Sequence, residues 1–460
     1  MITAGKAFAH LYREVTGELA ESGAVRVVGD DPQLSGRFRV GALAAACIGA
    51  TTLAAGELWR ARGGQPGPVT VDARHAAVSF RSERYLTVDG QSPGEFWGPL
   101  SGDYLAVDGW VKLHCNYPHH ALAAAKALGV AEDREAITAT IANRPAQEVE
   151  EAVLGAGGVA AAMRSLTDWH SHPAGRAARL IPLADLVQVG DTEGPRTLGP
   201  ADRPLAGIRV LDLTHVIAGP VCGRVLAAHG ADVLHVGAAH LPTVAPLVVD
   251  NGFGKRTCYV DLRTDEGKET LRALVRDADV LIQSYRPGAL AGLGFGPEEL
   301  AAMRPGIVVL SLSAYGHVGP WRQRRGFDSL VQMASGIADD GARVIGSDEP
   351  RPLPAQALDH GTGWLAAFGV LTALRRSLVE GGSWQVRVAL ARTAAWLDDL
   401  GRHTGQVIDP GAEDVADLLT ETDSQVGLVR HVGVPGSLPG AEPHWAHGPH
   451  RPGSDPAAWW

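Results

Sequence analysis

Over residues 205–312, short apolar runs alternate with amphipathic stretches, and few folds tolerate that pattern. Residues 208–213, 231–236, 258–262, 280–282 and 307–312 are apolar runs of strand length, bounded by polar residues, Gly or Pro. Runs of this kind suit strands buried on both faces. Between them, residues 221–229 have helical character. Thr264 precedes Asp265 and Glu266, an N-cap followed by acids at the positive end of a helix that runs to about Asp277. Strands alternating with helices imply a parallel α/β sheet with crossover helices. Ligands then bind beyond the carboxyl ends of the strands.

Downstream, Pro354-Ala-Gln-Ala-Leu-Asp359-His-Gly-Thr-Gly363 runs into the apolar segment 364–374. Asp359 is expected at a loop-to-helix junction, beside free backbone N–H groups. It either caps the helix or presents a carboxylate nucleophile to a cleft. The segments 40–53 and 360–373 also resemble each other. Each reads as a small-residue helix, and each is followed by a Gly-Gly pair (Gly63-Gly64, Gly381-Gly382) and a strand (69–73, 386–390). With Gly49 laid on Gly369, Arg39 falls opposite Asp359, so the first copy lacks the carboxylate. The alternative is two unrelated Ala-rich helices.

A chain of 460 residues has room for two or three cores. The division expected is 1–96, an N-terminal helix and a degenerate partial repeat; 97–195, a small α+β unit; 196–204, a Gly/Pro-rich linker; 205–403, the α/β domain; and 404–460, an extended tail. Within the small unit, 106–113 reads as a hairpin with an Asp-Gly turn, and 119–128, 134–142 and 146–156 as helices. A net charge of −10 argues against a nucleic-acid binder. No apolar run of about 18 residues is free of charge or glycine breaks, so no membrane span is expected. The N-terminus reads as an amphipathic helix without a signal core. Four scattered cysteines show no metal or redox spacing and fit a reduced, cytoplasmic protein. His114, His119 and His120 beside Cys115 match no zinc pattern, so no metal is expected.

Several motifs in order resemble the family III CoA-transferases (formyl-CoA transferase, carnitine CoA-transferase and 2-methylacyl-CoA racemase). They are Leu205-Ala-Gly-Ile-Arg-Val-Leu-Asp-Leu-Thr-His-Val-Ile-Ala-Gly-Pro220, Gly254-Lys-Arg256, Ser284-Tyr-Arg-Pro-Gly288, Ser313-Ala-Tyr-Gly-His-Val-Gly-Pro-Trp321, Gly326-Phe-Asp-Ser-Leu330 and the Asp359 segment. The resemblance implies a Rossmann-like CoA-binding and catalytic domain beside the small α+β domain, here in rearranged order. It implies CoA transfer from an acyl-CoA to a carboxylic acid through an aspartyl anhydride and an aspartyl-CoA thioester at Asp359. No permanently bound cofactor is implied; CoA and acyl-CoA are substrates, and the protein is a homodimer. His215, Val216, Ala218, Lys255, Arg256, Ser284, Tyr285, Arg286, Tyr315 and Gly316 are the CoA-facing residues on this reading, Lys255, Arg256 and Arg286 for its phosphates. Solvated surface charge is the ordinary alternative for the basic three, and loop packing for Val216 and Tyr285. Gly237, Ala238, Gly254 and Gly292 stand where the family has other residues. These differences and the Arg39 copy leave a catalytically weak CoA-binding scaffold as the second reading. A racemase is disfavoured, because Phe327 stands where that branch has a proton-carrying histidine.

Overall fold

The computed structural model describes residues 2–192, 194–406 and 408–460. Its centre is a seven-stranded sheet. The six parallel strands Arg209–Leu213, Asp232–Gly237, Lys255–Tyr259, Val280–Gln283, Val308–Ser313 and Ser383–Ala389 lie in the order third, second, first, fourth, fifth, sixth. The antiparallel strand Asp185–Gly190 closes the far edge against Ser383–Ala389. This is the doubly wound Rossmann order, and its direction reverses between Arg209–Leu213 and Val280–Gln283. The expected α/β sheet is therefore present.

The third strand begins three residues earlier than its apolar run. Lys255 and Arg256 pair in register with Val233 and Leu234, and their side chains find acids on the neighbouring strands. Periodicity places charged residues outside a buried strand, and those ion pairs allow them inside. Thr264 does cap the helix Asp265–Arg276, its hydroxyl accepting from the Gly267 N–H.

The helix Ala357–Val379 is buried on nearly every side. It packs against the helices Val40–Ala61 and Ala218–Ala228 and against the sheet. Its glycines permit the approach. A Cβ on Gly363 would lie 2.5 Å from the Ala218 carbonyl oxygen and 2.8 Å from Val221 Cβ, and one on Gly369 would lie 2.5 Å from Val386 Cγ1. The Thr51 hydroxyl bonds across to the Trp364 carbonyl at 3.0 Å. The two helices of the repeat thus face each other. A helix follows each of the two strands, Ala73–Ser79 after Val69–Asp72 and Leu390–Asp399 after Ser383–Ala389. In the first copy, however, the strand pairs only with Val25–Val28, outside the main sheet. Val40–Ala61 is long and apolar enough to cross a membrane by length and composition, and 94% of that window is buried within the protein.

Residues 100–162 hold a core of their own, built on the sheet of Gly102–Ala106, Gly109–Leu113 and Ala160–Ala162 and the helices Pro118–Leu128, Arg134–Ile141 and Ala146–Gly155. Ala106 pairs with Gly109, so the turn is Val107-Asp108, one residue before the expected Asp-Gly. The segment 404–460 is not simply an extended tail. Leu419–Ser424 and Gly427–Val432 form a hairpin that pairs with Thr87–Val88. Past it, the chain lies extended along the sheet edge, where the Asp455 N–H donates to the Thr257 carbonyl and Trp460 stacks on Arg256.

Because the space at Gly363 is taken by backbone, Gly363→Ala is expected to destabilise the protein by about 1–3 kcal/mol. Urea denaturation should show a lower midpoint at unchanged slope.

Candidate active site

At the reversal point the loops after Arg209–Leu213 and Val280–Gln283 part and open a cleft of about 380 Å³. The first loop is held in an unusual conformation. Val216, a β-branched residue, has φ 73°, and its carbonyl accepts from Asn251 Nδ2 at 3.2 Å. Such a residue in the left-handed region is strained unless its surroundings hold it there. A second chamber of about 340 Å³ adjoins the cleft. The two share Val216, Phe327 and Asp359.

Asp359 is the third residue of the helix Ala357–Val379, in its first turn rather than before it; Gln356 is the N-cap and makes no side-chain cap bond. The neighbouring N–H groups are not free. Asp328, at the start of the helix Asp328–Ala334, accepts from the Asp359 N–H at 2.9 Å and also bonds the Leu358 N–H. Its other oxygen accepts from Gln332, which in turn accepts from the Leu353 N–H at 2.7 Å. Gly361 lies inside the helical ladder, so its N–H is committed too. The free backbone N–H groups expected beside Asp359 are therefore already taken.

What remains unpaired is the Asp359 carboxyl itself. Among the described residues nothing hydrogen-bonds to it, and it lines both chambers. Burial raises it well above the carboxylate range, and the nearby Asp328 and Glu83 raise it further. Burial also lifts Asp328, to about 6, against the pull of Gln332 and the backbone N–H groups. Glu83 comes from the N-terminal segment. Its Oε2 lies 3.1 Å from His360 Nε2, and although burial opposes ionisation, the His360 bond holds it below its usual value. The three carboxyl groups interact, and the charges of the other two make ionisation of Asp359 harder.

His215, Val216, Ala218, Ser284, Tyr285 and Arg286 line the cleft together with Asp359. Lys255 and Arg256 do not. Lys255 is buried with Nζ 2.7 Å from both Asp212 Oδ2 and the Pro220 carbonyl oxygen. Arg256 binds Asp232 at 2.9 Å and the Ala458 carbonyl at 2.7 Å. Both charges are neutralised within the sheet, which corrects their assignment to phosphates. Tyr315 and Gly316 also stand apart; the Tyr315 ring is buried edge-on to Trp321, 4.9 Å between centroids.

Sequence reasoning missed Arg322, Arg324 and Arg325, which line the cleft. Arg324 is held by Glu150 and lies 3.8 Å over the Trp321 ring. Arg325 donates to the Gly157 carbonyl at 2.7 Å. Both therefore tie the small unit to the cleft wall. Arg286 and Arg322 are exposed, and their side chains have no ion pair or hydrogen bond among the described residues. The run Arg322-Gln-Arg-Arg325 just before Gly326-Phe-Asp328 was the available signal. Glu83 gave none, since its place beside His360 depends on a segment distant in the chain. Among the described residues, no cluster of His, Cys, Asp or Glu could hold a metal ion.

This geometry can now be set beside known proteins. Residues 205–401 match CoA-transferase family III. The matched segment includes Asp359 and the whole first loop. The chain is 35% identical over 199 residues to an acetyl-coenzyme A transferase of Hypoxylon pulicicidum, covering 42% of this chain and 34% of that protein. It is 35% identical over 214 residues to a probable fatty acyl-CoA transferase of Mycobacterium tuberculosis, covering 44% and 54% respectively. A formyl-CoA:oxalate CoA-transferase of Rhodopseudomonas palustris is 33% identical over 205 residues, covering 41% and 46%. A crystal structure of the M. tuberculosis protein aligns at 33% identity and TM-score 0.39, covering 43% of this chain and 57% of that one. The chain thus spans between a third and about half of the length of these curated relatives.

Two outcomes follow from the charges. Lys255→Met leaves Asp212 buried without its partner and is expected to cost about 3–5 kcal/mol of stability in a urea titration, with CoA affinity unchanged by calorimetry. Asp328 and Asp359 have raised values, so the folded state holds their protons more tightly than the unfolded chain. That stability is complete below about pH 4 and is lost as pH rises through the folded values, about 6 for Asp328. Asp359→Asn cannot ionise. It should be more stable than the wild type at pH 8 in a urea titration, with the difference closing by pH 4.

Proposed function

We propose that the protein is an acyl-CoA:carboxylate CoA-transferase in which Asp359 accepts the acyl group and then CoA. One observation carries the reading. A single unpartnered carboxyl stands where a basic-mouthed cleft at the sheet's reversal point meets a second chamber. The family match over residues 205–401 supports it.

In this scheme the CoA arm lies in the cleft, with Arg286 and Arg322 at its phosphates, and the acid lies in the adjoining chamber. The Asp359 carboxylate attacks the donor thioester carbonyl. A C–O bond forms, the C–S bond breaks, and CoA leaves as thiolate. The thiolate attacks the aspartyl carbonyl of the anhydride, giving aspartyl-CoA and the free donor acid. The acceptor carboxylate attacks that thioester, again expelling thiolate. The thiolate then attacks the acceptor's acyl carbon and restores the Asp359 carboxylate. Burial serves two ends here. It keeps water from the anhydride, and it leaves the attacking carboxylate poorly solvated and so reactive. A cytoplasmic homodimer with CoA esters as substrates and no resident cofactor completes the reading.

A CoA-binding scaffold is the second reading, favoured by the neutralised Lys255 and Arg256. Incubation with labelled acyl-CoA and hydroxylamine separates the two. Transfer predicts an aspartyl hydroxamate at position 359, found by peptide mapping and lost in Asp359→Asn. A scaffold predicts CoA binding with neither adduct nor turnover.

A further inference from the structure

A cavity of about 620 Å³ lies outside the cleft, between the N-terminal segment and the chain that leads into the helix carrying Asp359. Its size is that of a small-ligand site. Part of its wall is apolar. Phe38 and Leu353 are buried there, and Val344 and Ile345, at the end of the helix Ile337–Val344, stand exposed. Among the described residues, two acids and three arginines line it as well. The acids are already engaged. Asp340 accepts from Arg402 Nε at 2.9 Å and Asp409 from Arg81 Nη1 at 2.7 Å, and neither of those arginines is on the wall. The wall arginines are not engaged in this way. Arg84 and Arg351 are exposed, and their side chains make no ion pair or hydrogen bond among the described residues. Arg37 has one long bond, from Nε to the His403 carbonyl at 3.4 Å.

A solitary unpaired arginine on a surface is ordinary. Three around one concavity are not, because like charges repel, and apolar walls focus their positive potential into the space between them. The chain nevertheless anchors each of them. Arg351 stands between Pro350 and Pro352, its N–H is on the Ala338 carbonyl at 3.0 Å, and the N–H of Leu353 is on Gln332 Oε1 at 2.7 Å. The two prolines stiffen the backbone on either side of it. Arg37 belongs to the strand Gly36–Phe38, which pairs with Arg402–Gln406. Arg84 ends the single turn Ser82–Arg84. Three guanidinium groups are thus set around an apolar space by three separate segments, in a chain whose net charge is −10. An occupant that satisfies both features has negative charge at one end and hydrocarbon at the other.

We infer that this cavity is a binding site, separate from the transferase cleft, for a small organic anion with an apolar body, its headgroup held by Arg37, Arg84 and Arg351 and its hydrocarbon laid against Phe38, Val344, Ile345 and Leu353. A guanidinium fork matches carboxylate and phosphate oxygens alike, so either headgroup meets the requirement. The inference needs neither Asp359 nor bound CoA, and it stands or falls apart from the transferase reading. The two sites are nonetheless neighbours, since Arg84 lines the inner chamber too.

The test titrates the full chain with hexyl phosphate, hexanoate, hexanol and inorganic phosphate by calorimetry, in the presence of excess CoA. Hexyl phosphate or hexanoate should bind at least about tenfold more tightly than hexanol, which lacks the charge, and than inorganic phosphate, which lacks the chain; the tighter of the two names the headgroup. Arg351→Gln and Arg37→Gln should each weaken that binding about tenfold. Ile345→Asp, at an exposed position, places a negative charge on the wall and should weaken it as well. Arg286→Gln, in the transferase cleft, should leave it unchanged. Binding that persists in a protein showing no CoA transfer would remove the transferase reading and keep this one. The assignment is overturned if neither hexyl anion binds, if hexanol or inorganic phosphate binds as tightly, if Arg351→Gln, Arg37→Gln and Ile345→Asp all melt normally and bind as the wild type does, or if Arg286→Gln is the variant that loses binding.

Discussion

The hydrogen bonds from the Leu358 and Asp359 N–H groups to the Asp328 carboxylate set the character of the whole site. A helix N-terminus carries partial positive charge and unpaired donors, and either would stabilise an anion on Asp359. Here a second carboxylate takes both. Asp328 is satisfied by the helix end and Gln332, and Asp359, one turn in, is left facing its charge at close range with no donor of its own. The Asp359 carboxyl is therefore held well above the usual carboxylate range. Glu83, bound to His360, adds to the same pressure from the opposite side.

That arrangement depends on packing far from the cleft. Glu83 reaches His360 because the N-terminal repeat lies against the catalytic helix, with Val40–Ala61 packed on Ala357–Val379. Gly363 lets the Ala218–Ala228 helix come close enough to bring the strained Val216 loop to the chamber. The small unit closes the other side through Glu150, which binds both Arg164 and Arg324. The helix Val40–Ala61, with Arg39 at its cap, buttresses the helix that carries Asp359.

The parallel sheet was legible because apolar runs of strand length and a capped amphipathic helix leave traces in the chain itself. The glycine-rich setting of Asp359 marked the start of a helix, though the carboxyl lies inside its first turn rather than before it. The misreadings share one cause. Lys255 and Arg256 look like phosphate ligands as long as Asp212 and Asp232, on two other strands, are out of view. The donors near Gly361 look free until Asp328, thirty-one positions away, is seen to hold those of Leu358 and Asp359 and the helix itself to take the rest. Arg286 and Arg322 keep their charge exposed because no acid reaches them, and a linear sequence cannot show which cations go without partners. The hairpin within 404–460 was hidden for a similar reason. Its strands are half-exposed and polar, and they are stabilised by pairing with Thr87–Val88 from the other end of the protein.

The central claim is that burial and two neighbouring carboxyl groups oppose the ionisation of Asp359 and hold it well above the ordinary carboxylate range. Infrared difference spectra of wild type minus Asp359→Asn, recorded across pH, read this directly through the carbonyl stretch of a protonated carboxylic acid. The account predicts that this band persists well above the pH at which an ordinary solvated aspartate loses it. A band that vanishes near pH 4, as for an ordinary solvated aspartate, would contradict it.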